Sequence, residues 1–107
     1  MGNFGGGGMN ELMRQAARLQ RKIDQVKKEC ADREVSATAV GDKVKATVTL
    51  ARKVSRIEID SEFLKSEGVE LALDSACAAI NAALDKAEKD MDAELAKVTG
   101  GAKIPGV

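Results

Sequence analysis

Apolar positions form a narrow ladder over the first third of the chain. Successive steps alternate between three and four residues from Met9 to Cys30, the heptad spacing of a helix that packs along one seam. The spacing predicts one long helix from about Asn10 to Asp32. Because so narrow a seam requires a partner helix, we expect its members to form a homodimer contact and to be exposed in a lone subunit. The expected dimer seam comprises Leu12, Ala16, Leu19, Ile23 and Val26.

The apolar period changes to two after this helix, which is typical of half-buried strands. Strands are predicted over Glu34–Val40, Lys43–Leu50 and Val54–Ile59. The connections, Gly41–Asp42 and Ala51–Lys53, are short enough for hairpins. The pattern therefore predicts a three-stranded antiparallel meander with one buried face.

A second long helix is predicted from Val69 to about Val98, after a short helical turn that Asp60 or Ser61 caps and Gly68 ends. Its first half is rich in alanine, which permits close packing on a sheet. Gly100 and Gly101 then end the helix. Its predicted apolar positions are Leu73, Cys77, Ile80, Leu84, Ala87, Met91, Leu95 and Val98. The element order predicts an α+β fold of the form α-β-β-β-α.

The 107 residues predict one domain. Residues 1–8 are expected to be a disordered glycine-rich tail, residues 9–99 the folded domain, and residues 100–107 a flexible tail. A chain this small buries a limited share of its surface, so self-association is a natural source of stability.

A basic stripe runs along the helix face opposite the apolar ladder. Arg14, Arg21 and Lys28 recur at seven-residue spacing, with Arg18 and Lys22 beside them. Although the whole chain has zero net charge, residues 9–33 carry seven basic and four acidic side chains, and residues 69–99 carry three and seven. Such a stripe is either a solvated helix face or a surface for an anionic partner. On a dimer, two stripes would follow two runs of phosphate.

Several functional classes lack the required residues. The chain has no histidine, so the usual general base and the Ser/His/Asp and Cys/His arrangements are missing. Gly5–Gly8 has no preceding strand and no following GK[ST] sequence, which argues against a P-loop. We therefore expect no enzymatic activity, cofactor, metal or small-molecule substrate. Cys30 and Cys77 are expected to be buried hydrophobes.

The expected cellular location follows from two kinds of segment that the sequence lacks. No stretch approaches the roughly 18 apolar residues of a membrane span, and the start resembles no signal peptide, so a cytoplasmic protein without membrane contact is expected.

Trp and Tyr are absent, and the only aromatic residues are Phe4 and Phe63. Single-strand binders use aromatic stacking platforms. Arginine and lysine on a rigid helix instead favour duplex phosphates with little base readout.

Four segments together resemble the YbaB/EbfC family of bacterial nucleoid-associated proteins. Met9–Ala16 is similar to its N-x-L-M-[KR]-Q-A opening, and Val44–Val48 to its V-K-V-T-V strand. Val54–Asp60, followed by Phe63 and Leu64, resembles V-x-x-I-x-I-D-x-x-L-L. Gly100–Gly101, followed by Ile104–Gly106, resembles the G-G-x-x-[LI]-P-G ending. The resemblance covers nearly the whole chain in order.

This resemblance implies a tweezer-like homodimer that binds duplex DNA in the nucleoid and affects nucleoid organisation or gene expression. The phosphate contacts expected from the stripe are Arg14, Arg18, Arg21, Lys22 and Lys28. The second long helix is acidic on one face, so its DNA contacts would be confined to Lys86, Lys89 and Lys97. The alternative is a coiled-coil-like assembly or adaptor protein, in which the basic and acidic helices are complementary protein-binding surfaces.

Overall fold

The computed structural model describes the backbone of residues 2–100 and the side chains from Gly8 onward. Its order of elements confirms the predicted α-β-β-β-α arrangement, with the short predicted turn present as a separate helix. The elements are α1 (Gly2–Cys30), β1 (Glu34–Ala39), β2 (Val44–Thr49), β3 (Val54–Ile59), α2 (Ser61–Glu67) and α3 (Val69–Thr99).

Helix α1 begins earlier than expected. It includes Gly2–Gly8, which the sequence predicted to be a disordered tail. Glycine is about 1 kcal/mol per residue less favourable in a helix than alanine, so local helix propensity does not account for this extension. The helix ends at Cys30 in tight turns, in which Ala31 N–H donates to Lys28 O and Arg33 N–H donates to Cys30 O. Met1 and the predicted tail from Gly101 lie outside the described residues.

The three strands form an antiparallel sheet in the order β1-β2-β3. On one face the central strand places Val44, Ala46 and Val48 in the core, fully buried. The register sets Ala39, Ala37 and Val35 of β1 opposite these three residues. The alternation of apolar and polar side chains along the strands therefore produces the single apolar face that the sequence predicted.

The opposite face of the sheet is polar. The Ser36 and Thr47 hydroxyl oxygens lie 2.9 Å apart and share a hydrogen bond across β1 and β2. Arg56 lies 3.9 Å from Glu34 of β1 and 4.0 Å from Glu58, two residues along its own strand. The hydroxyl pair and these long side chains leave Thr47 buried although it points away from α3.

Helix α3 packs over β1 and β2 and only slightly contacts β3. The Asp60 side chain caps the preceding α2 by accepting a hydrogen bond from Phe63 N–H at 2.9 Å. The predicted apolar positions were partly wrong for α3, because Leu73 and Cys77 are exposed. The side of α3 that lies on the sheet is instead an alanine row, whose small side chains let the helix approach closely. This row is Ala72, Ala76, Ala79, Ala83 and Ala87.

The second half of α3 packs against the end of α1. Arg33 and Glu94 form an ion pair at 3.2 Å between the two regions. Hydrogen bonds from Lys97 and Arg33 lower the pKa of the Glu94 carboxyl below its ordinary value. The molecule measures 78 × 20 × 18 Å, and its first helix stands away from the body, since every described side chain from Gly8 to Lys22 is exposed.

Candidate nucleic-acid interface

The five basic residues of the predicted stripe share the exposed face of α1. The spacing sets Arg14, Arg18, Arg21 and Lys28 on the side of the helix opposite Ile23, which faces the body of the subunit. Lys22 lies on the flank between the two sides. From Arg14 to Lys28 the stripe extends about 21 Å along the helix axis. The residues are Arg14, Arg18, Arg21, Lys22 and Lys28.

The cations of this stripe differ in their partners. Glu11 lies 3.6 Å from Arg14 and 3.7 Å from Arg18, and all three side chains are more than half exposed. Such exposed pairs contribute little and are readily exchanged for another anion. Among the described residues, Arg21, Lys22 and Lys28 make no ion pair. The part of the stripe nearer the sheet therefore presents three cations that have no ion-pair partner within 4 Å among the described residues.

The lysines of α3 are mostly engaged within the subunit. Lys86 Nζ donates to the Ser36 backbone oxygen at 3.2 Å, and Lys97 Nζ lies 3.0 Å from Glu94. Lys89 makes no such contact among the described residues, but Asp85 and Asp92 lie on the same exposed side of the helix. Helix α3 thus offers a much weaker surface to an anion than α1 does.

The structure divides the predicted dimer seam into two halves. Ile23 is only 3% exposed in the lone subunit, so the expectation that it would be exposed there was wrong. Val26 is partly buried, and Cys30 packs against the core. The helix that packs against this half is α3 of the same chain. The apolar pattern of α1 alone does not identify which helix will cover it.

The other half of the seam is open. Leu12 is 65% exposed and Leu19 is 37% exposed, and Ala16 between them is exposed as well. No described element of the subunit covers them. These residues keep the apolar surface that the sequence predicted for association.

A cavity of about 330 Å³ lies where α1, the turn between β2 and β3, and α3 meet. Opposite charges share its rim, where Arg52 and Glu88 approach to 3.6 Å. Because the rim charges offset one another, the cavity does not extend the basic surface. Sequence analysis did not identify it, since its lining comes from three elements. The lining residues are Lys27, Leu50, Ala51, Arg52, Glu88, Met91, Asp92 and Leu95.

The two cysteines have different surroundings. Cys30 is partly buried, in line with its predicted role as a hydrophobe, whereas the prediction was wrong for Cys77, which is exposed. Cys77 lies on the flank of α3 that the alanine packing turns away from the sheet. Within residues 2–100, no cluster of side chains could ligate a metal ion, and no helix is long and apolar enough to cross a membrane.

Comparison with known proteins identifies the family of this chain. The model of the YbaB/EbfC DNA-binding family matches residues 5–102. The chain belongs to this family. A nucleoid-associated protein of Clostridium acetobutylicum is 39% identical, over 97% of this chain and 93% of its own length. A nucleoid-associated protein of Clostridium kluyveri is 40% identical, over 98% of this chain and 93% of its own length. A nucleoid-associated protein of Thermoanaerobacter pseudethanolicus is 37% identical over 99% of this chain and 96% of its own length.

A solved structure has the same fold. The crystal structure of an uncharacterized protein from Helicobacter pylori superposes with a TM-score of 0.69 at 14% sequence identity. The match covers 85% of this chain and 96% of that chain. Since so few residues are shared, the likeness concerns the fold, which is thus retained while most side chains differ.

Proposed function

We propose that this YbaB/EbfC protein is a dimeric nucleoid-associated protein that binds duplex DNA mainly through the phosphate backbone. The observation that carries the proposal is the one-sided basic face of α1, on which Arg21, Lys22 and Lys28 have no carboxylate partner among the described residues. The nucleoid-associated relatives support DNA as the partner. The protein then acts in the cytoplasm, on the nucleoid.

Contacts of this kind fix the position of a protein on DNA without reading the bases. A helix that carries cations along about 21 Å of its axis is suited to follow a run of phosphates. Effects on gene expression then follow from how much of the DNA the protein occupies and from how it organises the nucleoid. A homodimer doubles the number of phosphates held, and the apolar residues exposed on the subunit favour such an assembly.

Titration of a random-sequence duplex with the full-length protein over a salt series tests this function. If each subunit neutralises two to four phosphates, the dimer covers about four to eight and the log–log salt slope lies near −4 to −7. A second duplex of unrelated sequence should give a similar slope and affinity. Absence of salt-dependent binding to both duplexes would contradict the proposal.

The alternative function, an adaptor for protein partners, is favoured by the open half of the α1 seam. Leu12 and Leu19 offer an apolar strip of the kind that helical partners bind. An adaptor of this kind would bind no generic duplex at any salt concentration. The same titration therefore separates the two functions.

A further inference from the structure

The cavity between α1 and α3 has apolar walls and room for further side chains. Of its lining residues, Leu50 and Leu95 are buried and Met91 is partly buried. Its volume of about 330 Å³ is close to the lower end of the range for ligand sites, so it can hold one or two side chains. Filling such a cavity with apolar atoms is stabilising, because the atoms that line it gain contact partners.

The segment that follows α3 carries apolar side chains that the proposed function does not use. It lies beyond the described residues, and the sequence pattern alone predicts a flexible tail there. Its larger apolar residues are Ile104, Pro105 and Val107, and Lys103 is its charged residue. A segment tethered to a helix binds to a nearby surface of the same subunit at a high effective concentration.

The end of α3 leaves this segment within reach of the cavity. Gly100 adopts the left-handed conformation, with φ 70° and ψ 25°, which ends a helix and turns the chain away from its axis. The lining residue Leu95 is five residues earlier, or about 7.5 Å back along the helix. The four steps from Gly100 to Ile104 span up to about 13 Å of extended chain. Ile104 can therefore reach the cavity from the end of the helix.

We propose that Ile104 occupies the cavity of its own subunit and that Lys103 then pairs with Asp92 on the rim. The inference concerns a surface that the proposed function does not use, and it does not depend on DNA binding. An isoleucine in this position contacts α1, the turn between β2 and β3, and α3 at once. The segment thereby joins the base of the basic helix to the rest of the subunit.

The charges on the rim favour Lys103 on the α3 side. The two acidic residues of the rim, Glu88 and Asp92, both belong to α3, which leads directly into the segment. Arg52 lies 3.6 Å from Glu88 and offsets its charge. Asp92 makes no ion pair with a described residue. It is therefore the carboxylate that is available to a lysine of the segment.

The open half of the α1 seam is a less suitable surface for the same side chain. Leu12 and Leu19 lie on the outside of one helix, so an isoleucine placed there would be covered on one side only. Leu12 is also about 22 Å along the helix from Lys27, the α1 residue that lines the cavity. A position in the cavity removes more of the apolar surface of Ile104 from water.

Oxidation of Met91 by dilute hydrogen peroxide tests which side chain fills the cavity. A docked Ile104 should protect the Met91 thioether, whereas Met9 and Met13 are more than half exposed and serve as internal references. In the full-length protein, I104S should raise the Met91 oxidation rate roughly tenfold relative to Met13, because the burial of an isoleucine side chain that holds the segment in place is lost. V107S, the same kind of change three residues later, should leave that rate unchanged. Mass spectrometry of tryptic peptides measures both rates.

Thiol cross-linking tests the position of the segment with Ile104 in place. In a full-length C30A/C77A background, D92C/K103C treated with a short bis-maleimide should give an intrachain product, which keeps the mass of one chain and lacks both free thiols. The matched control is L12C/K103C, which puts the second thiol on the α1 seam and should give little intrachain product. Circular dichroism checks that every variant is folded.

Two results would overturn this inference. One is a Met91 oxidation rate that I104S leaves unchanged, and the other is a D92C/K103C variant that forms no intrachain product. A product from L12C/K103C instead would place the segment on the α1 seam, and a two-chain product would place it in the cavity of another copy. None of these measurements involves DNA, so their outcome is separate from that of the duplex titration.

Discussion

At the scale of single residues, the partners of each cation decide which part of α1 can hold phosphate. Glu11 lies close to Arg14 and Arg18, at one end of the stripe. Arg21, Lys22 and Lys28 follow it toward the sheet and make no ion pair among the described residues. The strongest positive surface should therefore lie on the second half of α1, which α3 also holds in place.

Replacing these three cations tests whether the second half of α1 holds most of the phosphate. R21A/K22A/K28A should weaken binding to every duplex by a similar factor and flatten the log–log salt slope by roughly two to five, since each lost phosphate contact removes about 0.9. Alanine keeps helix propensity high, so the fold should persist. The control K43A/K53A/K65A removes the same charge elsewhere and should retain most of the slope. An unchanged slope in the α1 variant would show that the stripe is a solvated face.

Glu94 links stability to pH. Hydrogen bonds from Lys97 and Arg33 lower its pKa below the ordinary 4.5, so the unfolded chain binds more protons in that range. Its stabilisation is present above pH 4.5 and is lost as the pH falls through the lowered value. E94Q should therefore reduce the urea midpoint at pH 7, and the difference from the unmodified protein should shrink below pH 4.5. E67Q, at an exposed carboxylate, is the control, and a constant difference would contradict the argument.

At the scale of elements, the alanine row of α3 sets the distance between helix and sheet. Ala79 is fully buried in this contact. A larger side chain there must push the helix off Val44, Ala46 and Val48. Neighbouring positions on the outer side of the same helix carry no such constraint, because Ala78 and Ala82 are exposed.

A79L should consequently destabilise the subunit by about 1–3 kcal/mol through overpacking. A82L makes the same change on the solvent side and should alter the free energy of unfolding by less than about 0.5 kcal/mol. Urea unfolding of both variants measures the difference. Equal effects would mean that α3 does not lie on the sheet through its alanines.

The two halves of the α1 seam should respond differently to truncation. I23A removes a buried side chain and should cost about 2–4 kcal/mol of subunit stability, whereas L12A should change it little because Leu12 is 65% exposed. Chemical unfolding at protein concentrations that keep the oligomeric state constant provides the comparison. A larger loss for L12A than for I23A would show that the open half of the seam is buried in solution.

At the scale of the whole molecule, charge is separated between two long helices. Seven basic side chains lie between Met9 and Arg33, and seven acidic ones lie between Val69 and Thr99. The net charge of zero thus hides one helix suited to phosphate and another that repels it. An assembly with two basic helices on its outside would bind DNA while its acidic helices remain away from the phosphates.

We expect the protein to be a dimer in solution. Sedimentation equilibrium at micromolar concentration should give about twice the 11.3 kDa chain mass, because exposed apolar side chains, among them Leu12 and Leu19, make a lone subunit unfavourable. The salt dependence should be weak, since apolar burial contributes most. A stable monomer under these conditions would contradict the dimeric architecture while leaving DNA binding to be tested separately.

The sequence by itself determined what depends on local periodicity. The heptad ladder of α1, the alternation in β2 and the Asp60 cap each act within a few residues, so the order of elements and, apart from the start of α1, their approximate ends could be read directly. The stripe of Arg14, Arg21 and Lys28 is equally local, because seven residues return a helix to nearly the same face.

Only the tertiary structure decided which apolar residues are buried. Ile23 is buried because α3 of the same chain packs beside it, and Leu73 is exposed because alanines give α3 a closer contact with the sheet. The ion pair between Arg33 and Glu94 also requires the fold, since these residues are 61 positions apart and meet only because the end of α1 lies beside α3. Periodicity indicates that a face will be covered, and long-range packing determines what covers it.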